Sequence, residues 1–111
     1  MRHKLALLNT SIMTVDGEYR LETISTEAAI ELVRWYGPDM IDSAIGHTAT
    51  AEIMSTVLGV EIQVSRQTFQ QKPWQQALVF KLNARLPEGK ILTLKEIQQI
   101  GYRWQLQTRI K

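Results

Sequence analysis

Apolar positions along the chain follow two different periods, and the change between them predicts the elements of the fold. Residues 4–8 are apolar almost throughout, which is typical of a strand buried on both faces, and residues 40–45 are a second apolar, strand-like segment. Residues 76–85 and 102–110 alternate instead, as half-buried strands do. In the 76–85 strand, one face is predicted to be core and the other to be more polar, with these members on the core face: Leu78, Phe80, Leu82 and Ala84.

Helical spacing appears in three segments, each with its own start or stop signal. Residues 27–36 follow Ser25 or Thr26 as the cap and end at Gly37-Pro38. Residues 48–58 end at Gly59. A third, short helix begins with the capping box Thr93-Leu94-Lys95-Glu96, has Leu92 and Ile97 as its hydrophobic staple, and ends at Gly101.

Two further strand predictions complete the order of elements. Asp16-Gly17 lies between residues 12–15 and 19–24 and predicts a hairpin, and residues 60–64 predict a short strand. The order β, hairpin, α, β, α, β, β, α, β indicates an α/β fold. We expect one domain over residues 1–111, with a mixed sheet of about five strands and helices packed against it.

Composition and charge narrow the classes of function. The 111 residues contain no cysteine, which excludes disulfides, thiolate zinc sites and a cysteine nucleophile and fits a cytoplasmic protein. No apolar run is long enough for a membrane span, so no membrane partner is expected. The net charge of +2 is mild and the basic residues are dispersed, which favours a small anionic ligand over duplex nucleic acid.

The stretch from Ser43 to Glu52 is the first candidate for a site. It joins the 40–45 strand through Gly46 and His47 directly to the 48–58 helix. Free N–H groups at such a helix start favour an anion, and a histidine there can transfer a proton near neutral pH. Phosphate binding with proton transfer is therefore one interpretation, and a capping or core histidine is the other.

The remaining chemistry is limited by what the sequence lacks. It contains no metal-ligand spacing among its carboxylates and histidines, no phosphate- or dinucleotide-binding glycine motif and no nucleophile elbow, so neither a metal nor a cofactor is expected. His47, Arg85 and Glu88 remain. Arg85 directly precedes a turn at Leu86-Pro87-Glu88-Gly89, which holds Glu88 at its tip. Asn9, Ser11 and Arg66 are possible orienting groups.

These residue types would serve metal-independent cleavage of RNA, in which the 2′-hydroxyl is the nucleophile, an arginine offsets charge in the transition state and a histidine protonates the leaving oxygen. Arginine and glutamate around a turn also form ordinary surface pairs, so the set by itself is not specific.

Several motifs together resemble one family. They are Leu7-Leu8-Asn9-x-Ser11, Ile45-Gly46-His47, Ala77-Leu78-Val79-Phe80 and Arg85-x-Pro87-Glu88-Gly89-Lys90-Ile91-Leu92. The chain is similar over nearly its whole length to the small viral and prokaryotic ring nucleases, which include type III anti-CRISPR proteins. Thr48 departs from the acidic residue that the family pattern has after its histidine.

The resemblance implies a homodimer that binds cyclic tetra-adenylate across its two-fold axis. It also implies that the protein cleaves this ring without metal into linear di-adenylates with 2′,3′-cyclic phosphate ends. The protein would act in the cytoplasm of a prokaryotic cell and be encoded by the host or by a virus. Loss of the ring would switch off the effectors of type III CRISPR defence. His47 matches the general acid, and Arg85 and Glu88 match the other catalytic positions. The expected ligand contacts are Asn9, Ser11, Thr50, Arg66, Phe69 and Asn83.

Two other functions stay open. A sponge would bind the cyclic oligonucleotide without cutting it and would need no general acid. A nucleic-acid-binding regulator would need a basic stripe, which the sequence does not display.

Overall fold

A mixed sheet of five strands lies at the centre of the molecule, and the computed structural model describes residues 3–83 and 93–111. The strands are β1 (Leu5–Leu8), β2 (Tyr19–Ile24), β3 (Ile41–Ser43), β4 (Gln76–Leu82) and β5 (Tyr102–Arg109). The helices are α1 (Thr26–Tyr36), α2 (Thr48–Leu58) and α3 (Leu94–Ile100), with a 3₁₀ turn at Pro38–Met40.

Strand pairing confirms the predicted α/β class with a mixed five-stranded sheet. The order is β2-β5-β4-β1-β3, in which β1 runs parallel to both β3 and β4 while β5 is antiparallel to β4 and β2. Leu7 pairs with Ser43, and Leu8 pairs with Val79. The carboxyl ends of three parallel strands therefore meet at one edge of the sheet.

One face of the sheet packs against the helices and forms the main core. Leu5, Leu7, Leu78, Phe80 and Trp104 project from the strands into it, each at most 2% exposed. The rings of Phe80 and Trp104 pack with their centroids 4.9 Å apart. The helices contribute mainly these buried side chains: Ala29, Val33, Tyr36, Ala51, Ile53, Met54, Leu58 and Ile97.

The opposite face carries a second, smaller core, which corrects the prediction for β4. Val79 was expected on the more polar face of β4, yet it is fully buried with Ala6, Leu8 and Ala77 under the ring of Phe69. The parallel β1–β4 pair at the middle of this mixed sheet is covered on both sides, so both of its faces are apolar.

Buried glutamines attach the chain segments that cover this second face. Gln107, which is fully buried, donates from Nε2 to Gln71 Oε1 at 2.6 Å and to the Ile12 carbonyl at 3.0 Å. Gln71 donates in turn to the carbonyls of Gln75 and Gln107, at 2.6 and 2.9 Å. Side-chain amides thus give the carbonyls of Ile12, Gln75 and Gln107 a buried donor.

The predicted hairpin is wrong, because residues 12–15 do not form a strand. Segment 19–24 is a strand as predicted, but it pairs with β5 along its whole length. The Asp16-Gly17 turn instead approaches the end of the chain, where Glu18 N donates to the Lys111 carbonyl at 2.9 Å. A Cβ on Gly17 would lie 2.3 Å from that carbonyl oxygen, so this turn tolerates only glycine without a shift of the backbone.

The strand predicted at residues 60–64 is also wrong, and the 40–45 strand is shorter than expected. Residues 60–64 are irregular because their polar groups bond elsewhere: Ile62 N donates to Ser55 Oγ at 2.9 Å, and the Gln63 carbonyl accepts from Ser43 Oγ at 2.6 Å. The 3₁₀ turn at Pro38–Met40 takes the first residue of the predicted 40–45 strand.

Helix boundaries follow the predicted caps closely. Ser25 Oγ accepts from the backbone of Ala28 at the start of α1, and Thr93 with Glu96 forms the capping box of α3. Leu92 of the predicted staple lies outside the described residues. Among the described residues, no helix is both long enough and apolar enough to cross a membrane.

The glutamine network generates a prediction for stability. Gln107→Leu should lower the free energy of unfolding by about 2–3 kcal/mol, because Gln71 Oε1 and the Ile12 carbonyl would be left buried without a donor. Gln105→Leu, two residues away on the same face, should change it by less than about 1 kcal/mol, since Gln105 Oε1 has no partner to lose among the described residues. Urea unfolding of both variants measures the difference; equal losses would contradict the role given to the network.

Candidate functional site

The carboxyl edge of the parallel strands brings together most of the predicted site residues that the structure describes. Asn9 and Ser11 follow β1, Gly46 and His47 follow β3, and Asn83 follows β4. Strands β1 and β3 stay paired to their carboxyl ends, because Ala44 N donates to the Leu7 carbonyl at 3.0 Å. This is the edge at which open α/β sheets place their ligands.

His47 is the N-cap of α2 and is exposed to solvent. Its backbone is extended, with φ −123° and ψ 128°, and its carbonyl accepts from Ala51 N at 3.1 Å to begin the helix. Its side chain makes no capping bond, in contrast to those of Ser25 and Thr93 on the other two helices. The imidazole is thus available to a ligand, next to the N–H groups of the first turn.

The Arg66 side chain lies against Gly46. Its Nε donates to the Gly46 carbonyl at 3.0 Å, and a Cβ on Gly46 would lie 3.3 Å from Arg66 Cγ. The arginine stem therefore lies across the glycine, with its side chain exposed beside the peptide that leads into His47. The bond made by Nε places the guanidinium group at this edge.

Further bonds hold the Arg66 segment against β3, and sequence reasoning missed the residues that make them. Gln67 Nε2 donates to the Ser43 carbonyl at 2.6 Å and to Asp42 Oδ1 at 3.1 Å. Ser65 N donates to the Ile45 carbonyl at 2.9 Å. The only sequence signal was a polar, glutamine-rich stretch, whose composition does not reveal which carbonyls its amides satisfy.

Ser11 and Asn9 lie half-buried just after β1. The Ser11 hydroxyl oxygen is itself buried and has no hydrogen-bond partner among the described residues. A buried hydroxyl without a partner is costly, so it is a position at which a ligand oxygen or a bound water would be favourable.

The other predicted contacts have different surroundings. Thr50 is 8% exposed in the first turn of α2. Phe69 is 6% exposed and forms part of the second core, where its carbonyl accepts from Thr14 Oγ1. Asn83 is exposed and packs so closely on Gly101 that a Cβ there would lie 2.5 Å from Asn83 Nδ2.

Two catalytic candidates, Arg85 and Glu88, lie outside the described residues. Asn83 is the last described residue before them, and Thr93 is the first after them. Within residues 3–83 and 93–111, no group of three or more His, Cys, Asp or Glu side chains is placed to hold a metal ion.

The described part of this edge offers a specific set of chemical groups. His47 can give or take a proton, the Arg66 guanidinium can pair with a phosphate, and the free N–H groups at the start of α2 favour an anion. The arrangement suits a phosphate ester bound at the edge with one ester oxygen near the imidazole.

A family model matches residues 5–104, which include every element of this edge that the structure describes. The chain belongs to the STIV B116-like family. Family membership fits the expected viral and prokaryotic relationship, and the relatives come from both viruses and a bacterium.

Three relatives of this chain illustrate that range. The protein YddF of Bacillus subtilis (strain 168) is 32% identical over 107 residues, covering 96% of this chain and 98% of its own. ORF117 of Acidianus two-tailed virus is 33% identical over 102 residues, covering 88% and 86%. Protein 26 of Sulfolobus islandicus filamentous virus (isolate Iceland/Hveragerdi) is 39% identical over 61 residues, covering 54% and 52%.

A solved structure shows the same fold. B116 of Sulfolobus turreted icosahedral virus superposes with a TM-score of 0.80 at 23% identity and covers 94% of this chain and 97% of its own. The names of these proteins state no activity, so the function of this STIV B116-like chain is argued from its own residues.

The absence of a side-chain capping bond from His47 leads to a second prediction for stability. His47→Asp should raise the free energy of unfolding by about 1 kcal/mol, because aspartate can accept from the free N–H groups of α2 and a histidine does not do so here. The reciprocal change Ser25→His should lower it by about 1 kcal/mol, since it removes the bond to Ala28. Thermal or urea unfolding tests both, and a loss of stability in His47→Asp would contradict the geometry described for residue 47.

Proposed function

We propose that this STIV B116-like protein is a metal-independent ring nuclease. In this proposal, a homodimer binds cyclic tetra-adenylate and cuts it into two linear di-adenylates with 2′,3′-cyclic phosphate ends. Removing this second messenger would switch off the effector nucleases of type III CRISPR defence. The proposal joins the family resemblance of the motifs to the chemistry of the carboxyl edge.

The observation that carries the proposal is the exposed His47 imidazole at the start of α2, with Arg66 Nε bonded to the carbonyl of the preceding residue, Gly46. A residue that only capped the helix would use its side chain on the helix N–H groups, and His47 does not. A proton donor and a cation at the same edge supply what phosphodiester cleavage needs at the leaving oxygen and the phosphate.

The proposed reaction needs no nucleophile from the protein. A ribose 2′-oxygen attacks the adjacent phosphorus in line as its proton passes to water, and the bond from phosphorus to the 5′-oxygen breaks. His47, as imidazolium, gives its proton to that 5′-oxygen. The ring opens at a 2′,3′-cyclic phosphate, and orientation of the 2′-oxygen is the main task of binding.

The remaining site residues have roles in this scheme that rest on the resemblance. Arg85 would stabilise the charge of the transition state, and Glu88 would orient the ribose or the loop that closes over it. Arg66, Asn9 and Ser11 would contact the ring, with Ser11 gaining a partner for its buried hydroxyl.

A two-fold dimer fits the symmetry of the proposed ligand. A ring of four identical nucleotides has opposite phosphates that are equivalent, and a symmetric dimer brings two copies of His47 to such a pair. Two equivalent cuts halve the ring, which accounts for the di-adenylate product.

Replacement of His47 should separate cutting from binding. His47→Ala should lower the single-turnover rate on labelled cyclic tetra-adenylate by about 10²–10⁴-fold, the usual contribution of a general acid, while the Kd for the ring changes less than about threefold. Arg66→Ala should weaken ring binding by about tenfold, through loss of a charged phosphate contact. Arg34→Ala, which removes an arginine from the last turn of α1, is the matched control and should behave as wild type.

A ring with 2′-deoxy sugars provides the control for the chemistry. It should bind wild-type protein and stay intact, because the attacking oxygen is missing. Cleavage of the deoxy ring would contradict attack by the 2′-hydroxyl. Equal turnover by wild type and His47→Ala would contradict the role of His47, and binding of the ordinary ring without any turnover would make the protein a sponge.

A further inference from the structure

The two edge strands of the sheet differ in what lies beside them. Strand β3 is accompanied by an irregular segment of the chain, from which Ser65 N donates to the Ile45 carbonyl at 2.9 Å. Strand β2, at the other edge, pairs with β5 on its inner side. Within residues 3–83 and 93–111, no backbone bond joins the outer side of β2 to another segment. This edge is therefore open to a further strand.

The pairing of β2 with β5 decides which backbone groups remain free. Ile110 N donates to the Glu18 carbonyl at 2.7 Å, and alternate residues of an antiparallel strand bond to the same neighbour. The N–H and C=O groups of Tyr19, Leu21 and Thr23 therefore point away from β5. They offer unpaired donors and acceptors at the spacing that an added extended strand would match.

Side chains on the two faces of β2 differ in character. Arg20 and Glu22 lie on the face covered by the helices, because they alternate in step with Ile24, which packs against the main core. Arg20 Nε and Glu22 Oε1 are 2.9 Å apart, and the two side chains are 68% and 43% exposed. Leu21 lies on the opposite face and is 43% exposed. The strand thus presents one cation, one anion and one apolar group to a neighbour.

The sequence of β2 is complementary to itself in an antiparallel pair. With a two-fold axis at Leu21, this residue faces its own copy and Arg20 faces Glu22 of the second copy. Opposed residues have Cβ atoms about 4.5–5.5 Å apart, so both symmetric ion pairs form, together with about six backbone hydrogen bonds. An axis at Arg20 or at Glu22 would place like charges opposite each other, which is unfavourable.

We propose that β2 is an interface for a second copy of this chain, in which the two β2 strands pair edge to edge about a two-fold axis at Leu21. The five strands of each copy then form one continuous sheet. The occupant is a second copy, because one strand supplies both members of each ion pair and a two-fold axis brings them together.

This interface is distinct from the dimer proposed for ring cleavage. Strands β2 and β3 are at opposite edges, so the two β3 strands of the paired copies are separated by four strand spacings in each copy and one between copies, about 43 Å. His47 follows β3, and a ring of four nucleotides does not span that distance. Pairing at β2 would instead join ring-binding dimers to one another, and it does not depend on the proposed function.

Oxidation of single-cysteine variants tests the register, because the chain has no cysteine of its own. Leu21→Cys should form a disulfide-linked dimer on a non-reducing gel, since hydrogen-bonded partners in an antiparallel pair have Cα atoms about 5.5 Å apart. Thr23→Cys, also exposed on the same face of β2, is the matched control. It faces Tyr19 of the second copy and lies four residues, about 14 Å, from its own copy. Equal cross-linking of both variants, or none in Leu21→Cys, would overturn the proposal.

An exchange of charges tests the ion pairs. Arg20→Glu and Glu22→Arg should each halve the mass measured by sedimentation equilibrium, because each places like charges opposite each other. Chain concentrations up to about 1 mM detect even a millimolar Kd. An equimolar mixture of the two variants should restore the wild-type mass, since every acidic position then faces a basic one. Arg34→Glu, an equal charge change at an exposed position of α1, should sediment as wild type.

Ring cleavage keeps this test apart from that of the proposed function. Both charge variants should cut cyclic tetra-adenylate as wild type does, since β2 contains none of the residues assigned to that reaction. Single variants that keep the wild-type mass, or a mixture that stays dissociated, would overturn the β2 interface. A variant that loses both mass and cleavage would contradict the separation of the two interfaces.

Discussion

Parallel pairing of β1 with β3 and with β4 is the constraint on which the rest of the structure depends. Because these three strands run in one direction, the segments that follow them meet at one edge and the segments that precede them meet at the other. Asn9, Ser11 and His47 come together for the first reason, and Lys4 and Gln75 for the second. The candidate site is thus a consequence of these backbone hydrogen bonds.

Rules that depend on neighbouring residues predicted much of this fold. They failed where polar contacts between distant segments determine the conformation. The caps at Ser25 and Thr93 and the alternation in 102–110 were read correctly, because each depends on neighbouring residues. The hairpin at Asp16-Gly17 failed because that turn bonds to the far end of the chain. No local pattern tells that Gly17 will lie against Lys111, or that Gln107 will bond to Ile12.

The candidate site likewise has a part that the sequence predicted and a part that it did not. The strand–glycine–helix pattern was sufficient to place His47 at this edge, and the structure adds that the Arg66 stem lies against Gly46. Gln67 could not be found, because its function is to satisfy the carbonyl of Ser43 and sequence does not show which carbonyls lack partners. His47 is a poor choice for stability at its position, because its side chain makes no capping bond, and it is exposed at the candidate site. Functional residues are commonly retained at some cost in stability.

The most direct test of the proposed activity is the identity of the product formed from cyclic tetra-adenylate. The purified chain would be incubated with the labelled ring in EDTA, and the products would be resolved by chromatography and weighed by mass spectrometry. The account predicts linear di-adenylate ending in a 2′,3′-cyclic phosphate, formed with the divalent metals chelated. An intact ring after prolonged incubation, whether bound to the protein or free, would contradict it.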